Sequence, residues 1–325
     1  MKIKRTFTGM ARVNRTAVER LGLTAEPGAS GPVMLHTLKG FVDAGAVGHV
    51  AAKHLLDNCE THRIVTFNTD MILDYRSKRS LMTFETDRYT EYEQPFMVID
   101  HLRDAEGTAF LLLHGMEPDL QWERLIVIIR QLIEQFGVTL TVGFHGLPMG
   151  VPHTRPLGLT AHGTRPGLTE DYTSFFGKVK VPSSLSALME LRLGEAGLDA
   201  MGFAVHIPHY FAQMEYAPGA VFALQHVERV TGLDLRTERL AVERSEETSE
   251  LERQLRKNDD AVAVVTALEQ QFDRFTAQVG TPGRLIDADG PIPTADELAA
   301  EFERFLAQQD GNQGEAFPTV GDPWQ

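Results

Sequence analysis

The chain has little cysteine, a deficit of basic residues and no long apolar run. Its 325 residues include one cysteine, Cys59, which excludes an internal disulfide or a cysteine-based zinc cage and favours a cytoplasmic location. There are 31 Lys and Arg against 45 Asp and Glu, a net charge of −14, so binding to nucleic acid or to an anionic membrane surface is not expected. The longest apolar runs, such as 125–129, are too short to span a membrane.

The remaining composition is that of an ordinary soluble protein. Hydrophobic residues make up 42% and charged residues 23% of the chain, close to the average for globular proteins. The basic N-terminus is followed by no apolar stretch of signal-peptide length, so no export is expected. The length allows about two domains, or one large domain with an appendage.

Strands and helices alternate over the first two thirds of the sequence. Apolar segments typical of strands occur at 33–38, 62–68, 96–101, 109–114, 138–144 and 201–207, and segments typical of helices at 46–56, 120–136, 183–194 and 218–230. This order predicts a three-layer α/β/α fold with a mostly parallel sheet covered on both faces. The passage 143–177 is rich in Gly, Pro and His, which predicts a long functional loop or lid.

The sequence changes character after about residue 233. Residues 234–279 are charge-rich and carry apolar residues at helical spacing: Val262, Val265, Leu268, Phe272, Phe275 and Val279. With a turn at 258–260, this pattern predicts a helical hairpin whose apolar stripe either binds a partner or packs on its own domain. We therefore predict a core domain at 1–233, a helical appendage at 234–309 and a disordered tail at 310–325.

A further helix is predicted within the appendage. Thr294 and Glu297 have the spacing of a capping box. The helix is expected to start there.

The loop at 40–48 is a candidate phosphate-binding loop, because it joins the first predicted sheet strand to its helix. Two of its glycines have Walker A spacing, but Ala46 and Val47 replace the required Lys and Ser/Thr, and the dinucleotide pattern G-x-G-x-x-G is absent. Asp43 adds a negative charge to the loop, which disfavours a bound phosphate. A tight strand-to-helix turn is therefore favoured over a nucleotide site.

Polar residues gather where the parallel strands are predicted to end, which is where α/β proteins form their crevices. This predicted rim comprises Asp43, Asp70, Arg76, Arg79, His114, Glu117, His145, His153, Arg155, His206, His209 and Tyr210. As one pocket it would suit an enzyme in which Arg side chains hold an anion and His145 or His209 transfers protons. Asp43 or Asp70 would then bind ribose or a metal. As separate loops, the same residues would be caps and turns.

Motifs for established chemistries are lacking. The sequence has no zinc signature and no G-x-S-x-G elbow, so no catalytic residue is assigned and no metal or other cofactor is expected. A metal site assembled from His114, His145, His153 and Asp43 remains the alternative. Cys59 lies near a helix end beside Glu60, which disfavours a reactive thiolate.

Five segments occur in an order that suggests a known family. They are GFVDAG at 40–45, LDYRSKR at 73–79, HGMEPD at 114–119, PHTRP at 152–156 and VHIPHY at 205–210. Together they resemble the proteasome assembly chaperone 2 family, and in particular its prokaryotic, actinobacterial-type branch, over roughly 33–279. The resemblance implies an α/β/α fold related to the phosphorylase/hydrolase-like class, frequent self-assembly and a role centred on protein partners.

The C-terminus departs from the tails of such proteins. Eukaryotic members are described as using a C-terminal hydrophobic-Tyr-any-residue motif during proteasome ring assembly. This chain ends Asp322-Pro323-Trp324-Gln325, so Trp324 supplies a penultimate aromatic side chain while Pro323 breaks the pattern. The ending also differs from the Gly-Gln-Tyr-Leu tail of actinobacterial proteasome activators.

Two functional hypotheses follow. The first is a non-enzymatic, homo-oligomeric scaffold or assembly factor, a trimer by analogy, with proteasome subunits among its candidate partners. The alternative is a phosphorylase/hydrolase-like enzyme, or a protein that binds a nucleoside or phosphorylated metabolite through the Asp/His/Arg rim. The absence of nucleophile and cofactor motifs favours the first.

Overall fold

The structure is a computed structural model that describes residues 9–23, 31–172 and 177–279. The helix predicted from Thr294, the tail predicted at 310–325 and the C-terminal Trp324 lie outside these residues. The described chain forms an eight-stranded sheet, a separate two-stranded sheet and flanking helices.

The strands build one mixed sheet and one hairpin. They are β1 (Ala11–Val13), β2 (Val33–Lys39), β3 (Glu60–Phe67), β4 (Met82–Glu85), β5 (Arg88–Tyr92), β6 (Met97–Arg103), β7 (Ala109–Met116), β8 (Leu140–Met149), β9 (Leu159–Gly163) and β10 (Ala200–Pro208). The large sheet has the order β1-β3-β6-β7-β2-β8-β10-β9, and β4 pairs only with β5. Strands β7, β2, β8 and β10 are parallel neighbours and the outer pairs are antiparallel, so five of the eight strands, β3 included, run in one direction.

The helices follow the predicted order. They are α1 (Arg15–Arg20), α2 (Val47–Asn58), α3 (Thr69–Ile72), α4 (Trp122–Phe136), α5 (Leu185–Glu195), α6 (Ala217–Thr231), α7 (Thr237–Glu243), α8 (Ser245–Arg256) and α9 (Asp259–Val279). Every core strand and helix predicted from the sequence is present, with ends that differ by a few residues. In the described ranges no helix is both long enough and apolar enough to cross a membrane.

Two hydrophobic cores lie on opposite faces of the sheet. Leu111 and Leu113 of β7 pack in the core under α1, α4 and α5, and Leu112 between them packs in the core under α2, α6 and α7. Successive strand residues point to opposite faces, so a continuous apolar run marks a strand covered on both sides. Each fully buried Leu contributes about 2 kcal/mol of transfer free energy. The predicted three-layer α/β/α fold is confirmed.

The passage 143–177 contains strands as well as loops, so the prediction of one long loop there is wrong. β8 continues to Met149 because its end pairs in parallel register with β10, up to Pro208. Pro148 is tolerated because β2 pairs with β8 only as far as Gly143, which leaves that side of β8 unpaired. β9 pairs with the other edge of β10. Backbone hydrogen bonds from β10 thus outweigh the local turn preferences.

The predicted helical hairpin is confirmed as α8 and α9. The side-chain oxygen of Asn258 accepts the backbone N–H groups of Asp260 and Ala261 at 3.1 and 3.2 Å, which caps α9. In the predicted apolar stripe Val265 is buried and Val262 is 38% exposed. The side chains of Phe275 and Val279 lie outside the described set, and the domain boundary at residue 233 stays a prediction.

Candidate functional site

The parallel strands end at one edge of the sheet, here named the strand-end edge. It is formed by the last residues of β2, β7, β8 and β10, which are Lys39, Met116, Met149 and Pro208. Loops that leave this edge carry Asp43, Glu117, His153, Arg155, His209 and Tyr210. After β3 come Asp70 on α3 and then Arg76 and Arg79 on a loop. The other predicted rim residues, His114, His145 and His206, lie within strands.

Asp43 is held by backbone hydrogen bonds. One carboxylate oxygen accepts the N–H groups of Gly48 and Gly146 at 2.9 and 3.0 Å. The other accepts the N–H groups of Gly48 and His49 at 3.0 and 3.3 Å. Burial raises the pKa of Asp43, although these N–H groups act in the opposite direction. The carboxylate therefore caps the start of α2 and ties it to β8.

The loop at 40–48 lies across the end of β8. A Cβ atom at Gly146 would lie 1.9 Å from the carbonyl oxygen of Ala44, so only glycine permits this packing. Gly45, at φ +67°, donates its N–H to Ala212 at 3.0 Å and accepts the N–H of Tyr216 at 2.9 Å. The loop is a tight turn that occupies the place where many α/β enzymes bind a ligand.

His114 takes part in a buried network that spans three strands. Its Nε2 lies 2.9 Å from Oδ2 of Asp100, a residue that is 1% exposed. Arg63 donates from Nε and Nη2 to the two oxygens of Asp100 at 3.1 and 3.3 Å. Burial opposes ionisation of Asp100, but hydrogen bonds from His114 and Arg63 hold its pKa below the usual value. This network is not predicted from the sequence, although an acid within an otherwise apolar strand is a signal for it.

Four histidines lie on the face of the sheet that α4 and α5 cover. They are His36 on β2, His145 on β8, His162 on β9 and His206 on β10. Glycines make room for two of the rings. A Cβ at Gly143 would lie 2.4 Å from the His36 ring, and a Cβ at Gly202 would lie 2.4 Å from the His162 ring. Of these four, only His145 and His206 are predicted site residues, because the cross-strand register that aligns histidines with glycines is not visible in the local sequence.

Three of these imidazoles, those of His36, His145 and His206, are packed in the structure as neutral groups. Burial lowers the pKa of His36 to about 3, and the neighbouring His162 and His145 add to this effect. Burial likewise lowers the pKa values of His145 and His206 to about 4. Nδ1 of His162 lies 2.8 Å from Glu190 on α5. This histidine group therefore lies on the opposite face of the sheet from the loop that holds Asp43.

His153 and Tyr210 form a pair beyond the ends of β8 and β10. The Tyr210 hydroxyl accepts the backbone N–H of His153 at 2.8 Å and lies 2.8 Å from its Nδ1. The ring of Phe211 lies 5.4 Å from the His153 ring. Burial lowers the pKa of His153 and raises that of Tyr210. The adjacent His209 is exposed.

Arg155 binds the helical hairpin. Its Nε and Nη2 donate to the two carboxylate oxygens of Asp273 at 2.7 and 2.6 Å. Its Nη1 lies 3.4 Å from Glu269, which also accepts the hydroxyl of Thr154. A bidentate pair of this kind fixes orientation as well as distance. The guanidinium that was expected to hold an anionic ligand thus holds α9.

Glu117 connects the strand-end edge to α5. Its Oε1 accepts the backbone N–H of Leu185 at 2.7 Å, at the start of that helix. Burial raises the pKa of Glu117, against the effect of this hydrogen bond and of the nearby Lys78. The ammonium group of Lys78 donates to the carbonyl oxygen of Gly40 at 3.0 Å.

Three predicted rim residues follow β3, Asp70 on α3 and Arg76 and Arg79 on the exposed loop after it. The hydroxyl of Tyr75 donates to Asp70 at 2.5 Å. The side chains of Arg76 and Arg79 point into solvent, and within the described residues neither guanidinium has a carboxylate at ion-pair distance.

The rim is thus divided among several local structures. In the described part of the chain, no three His, Cys, Asp or Glu side chains are arranged to hold a metal ion. A cleft of about 150 Å³ lies between α4 and α5, lined by Glu123, Ile126, Val127, Arg130, Arg192, Glu195 and Ala196. It is smaller than most ligand pockets, which measure roughly 300–1,000 Å³. None of the rim residues lines it.

A family model matches the region that contains these structures. Residues 37–257 match the model of the PAC2 family. The chain belongs to the PAC2 family. The resemblance expected from the five sequence segments is therefore confirmed.

Solved structures of other proteins share this fold. Mycobacterium tuberculosis Rv2714, a protein of unknown function, is 39% identical with a TM-score of 0.79, and the match covers 93% of this chain and 96% of that one. A Corynebacterium glutamicum protein of unknown function is 31% identical with a TM-score of 0.76, over 83% and 98% of the two chains. The Mycobacterium tuberculosis proteasome-assembly chaperone homologue Rv2125 is 20% identical with a TM-score of 0.65, over 72% and 99%, and shows the shared fold alone. A comparison with curated proteins finds no match.

Proposed function

We propose that this PAC2 protein is a non-enzymatic, homo-oligomeric scaffold with an assembly-factor-like role. The observation that carries the proposal is the way in which the strand-end edge is filled. Asp43 is engaged by backbone N–H groups, and Ala44 lies directly on Gly146. The place where an α/β enzyme would bind its substrate is thus taken by the protein's own loop.

The polar rim residues support the same interpretation. Arg155 is engaged by α9, Glu117 by the start of α5 and His114 by Asp100. A catalytic group has to reach the proton or atom that it acts on. These side chains instead contact other parts of the fold, which suits a structural role.

Exposed apolar side chains support a protein partner. Phe41 and Phe96 are each 44% exposed, Tyr75 is 41% exposed and Leu120 is 48% exposed, and all four lie in loops at the strand-end edge. Aromatic and aliphatic side chains of this kind are enriched at the centres of protein interfaces.

Two structural relatives indicate the class of partner. Rv2125 is described as a proteasome-assembly chaperone homologue, and Pyrococcus furiosus PbaB as an archaeal proteasome activator. Their identities to this chain are 20% and 15%, so the likeness establishes the fold and suggests proteasome subunits as candidate partners.

The oligomer is tested by sedimentation velocity over a range of protein concentrations. The expected mass is a multiple of the 36.1 kDa chain, and a monomer at every concentration would contradict the scaffold. Cross-linking of the tagged full chain in cells, followed by mass spectrometry, tests the assembly role. A defined partner such as a proteasome subunit is expected, and recovery of this chain alone would contradict that role.

A thermal-shift screen with nucleosides, nucleotides, phosphate and divalent metals tests the non-enzymatic part of the proposal. A ligand at 100 times its Kd stabilises a protein by about 2.7 kcal/mol, which gives a measurable shift. No saturable shift is expected. A shift that saturates and disappears in both His145→Ala and Arg155→Ala would favour the enzyme hypothesis.

A further inference from the structure

The four histidines under α4 and α5, here named the histidine group, are ordered by the strand register. His36 of β2 lies beside Gly143 of β8, which lies beside Gly202 of β10, which lies beside His162 of β9. Because the two glycines have no side chains, the ring of His36 lies over Gly143 and that of His162 over Gly202. Helix α5 packs on β2 and β10, and since β8 lies between these strands, α5 passes over all three.

The other two members of the histidine group lie further along the same face. His145 is two residues beyond Gly143, and His206 is four residues beyond Gly202, and an even separation keeps side chains on one face of a sheet. The hydroxyl of Thr160 lies 2.9 Å from Nε2 of His206. Buried Nδ1 of His36 has no hydrogen-bond partner among the described residues. The group therefore places several imidazoles close together with little polar surrounding.

The charged groups that face these histidines belong to α5 and its start. Glu190 of α5 lies 2.8 Å from Nδ1 of His162, and Glu117 accepts the N–H of Leu185 where α5 begins. The buried residues of α4 are all leucine, isoleucine or phenylalanine. The electrostatic balance on this face is thus set by four imidazoles and by carboxylates that contact α5.

Helix α5 is anchored less firmly than α4. It buries three side chains, those of Leu185, Met189 and Leu193, whereas α4 buries seven. Residues 177–183, which precede α5, are all exposed. Gly197, which follows it, has a φ of +74° and open space around its Cα. A helix with few buried contacts and open flanks detaches at a lower free energy than the core does.

We propose that α5 is an acid-released cover: uptake of protons by His36, His145 and His206 detaches α5 from the sheet while α4 and the central strands stay folded. Detachment brings the imidazoles into water, where their charged forms are solvated. It also uncovers the apolar side chains on the inner face of α5. This regulatory device goes beyond the scaffold role and does not depend on it.

The direction of the pH effect follows from the burial of the three rings. With α5 closed, burial lowers the pKa of His36 to about 3 and those of His145 and His206 to about 4. With α5 open, each ring titrates near its ordinary pKa of 6.5. The closed state is therefore fully favoured above pH 6.5 and loses its advantage as the pH falls. Between pH 7.5 and 5.5 the ratio of open to closed α5 rises about tenfold for each histidine, or about a thousandfold for three.

The pair of His162 and Glu190 opposes this release. Its members are 44% and 18% exposed, so His162 can take up a proton while α5 is closed, and the charged imidazole then attracts Glu190. Charged His162 also helps to lower the pKa values of His36 and His145 in the closed state. Glu190 therefore holds α5 on the sheet until the other three histidines outweigh this contact.

Hydrogen exchange of the full-length protein at pH 7.5 and 5.5, corrected for the intrinsic rate at each pH, measures the release. Protection of the α5 amides is expected to fall about a thousandfold. At pH 5.5 the amides of α4 and β7 are expected to stay at least tenfold better protected than those of α5. Unchanged protection of α5 overturns the proposal. Equal protection of α5, α4 and β7 at pH 5.5 also overturns it, because the whole fold would then open together.

Neutral substitutions test which groups take up the protons. In His145→Gln the fall in α5 protection between the two pH values is expected to be about a hundredfold, because one of three protons is lost. His49→Gln on α2, at a side chain that is 53% exposed, is the matched control and should keep the full thousandfold fall. The same fall in both variants overturns the role of His145. Glu190→Gln is expected to lower α5 protection further at pH 5.5, and higher protection there would contradict the opposing role of Glu190.

Discussion

Two regions at the strand-end edge differ in whether their side chains have partners within the chain or are exposed to solvent. Beyond β8 and β10, the polar groups of His153, Arg155 and Tyr210 all have partners within the chain, and Leu251 and Leu255 of α8 pack against the neighbouring core. In the β4–β5 hairpin, large apolar side chains are 48–67% exposed. An enzyme crevice usually has accessible polar groups within apolar walls. This edge has satisfied polar groups and an exposed apolar surface, which suits protein contact.

The largest effect is expected where the loop at 40–48 closes the edge. Gly146→Ala places a Cβ atom 1.9 Å from the Ala44 carbonyl oxygen, and the backbone on both sides is packed. We expect a loss of about 3 kcal/mol or more in the free energy of unfolding, measured with urea. Gly177→Ala, where the added atom meets nothing within 4 Å, is the control and is expected to be near neutral. Equal stability of the two variants would show that the loop does not lie on β8.

A slightly smaller effect is expected at Asp43. Asp43→Ala leaves the N–H groups of Gly48, His49 and Gly146 without their acceptor, which we expect to cost about 3 kcal/mol of unfolding free energy. Asp43→Asn keeps one acceptor oxygen and should lose less. If Asp43→Ala were as stable as the wild type, the carboxylate would not serve the fold, and a ligand-binding role would regain support.

Acid is expected to weaken the packing of the covered histidine face. His36 has a pKa of about 3 in the fold, below its ordinary value of 6.5. As the pH falls, a proton therefore binds His36 in the unfolded chain before it binds His36 in the fold. The contribution of neutral His36 to stability is complete above pH 6.5 and is lost as the pH falls from 6.5 towards 3. At pH 5 this one group should cost about 2 kcal/mol relative to pH 7.5.

Urea unfolding at both pH values measures this loss. The difference in unfolding free energy between pH 7.5 and pH 5 should shrink in His36→Leu. In His49→Leu, whose side chain is 53% exposed, it should match the wild type. An identical pH dependence in all three proteins would disprove the assignment to His36.

The smallest effect is expected from the contact that holds α9. Arg155→Ala removes the bidentate pair with Asp273 and the contact with Glu269. Amide hydrogen exchange in α9 is expected to become severalfold faster, with little change in the central strands, because exposed ion pairs contribute weakly to global stability. The comparison variant Arg192→Ala breaks ion pairs between α5 and α4 and should leave α9 unaffected. Unaltered exchange in Arg155→Ala would mean that apolar packing alone holds the hairpin.

The sequence predicted the order of the elements well and their long-range pairing poorly. Apolar runs and helical spacing identified the core strands and helices, because periodicity reflects which faces of an element are buried. The strand at Leu159–Gly163 was missed because its partner, β10, lies about 40 residues further along the chain. A strand whose stability comes from such a distant neighbour leaves a weak local signal.

For the candidate site too, local features could be predicted from the sequence and long-range contacts could not. The sequence identified the polar residues near the strand ends, including Asp43, His114 and Arg155, but it did not show that they would have partners within the fold. The register of strands β3, β6 and β7 brings Arg63, Asp100 and His114 together.

By itself, the sequence determined the α/β/α class, the order of its elements, the helical hairpin and the PAC2 family, since local periodicity and short segments carry that information. Only the tertiary structure decided which face each side chain occupies, because a shift of one residue in strand register reverses every face. It placed His36 and His145 on one face and Asp43 towards the other. It also gave Asp43, His114 and Arg155 partners within the chain and left the apolar face of the β4–β5 hairpin exposed.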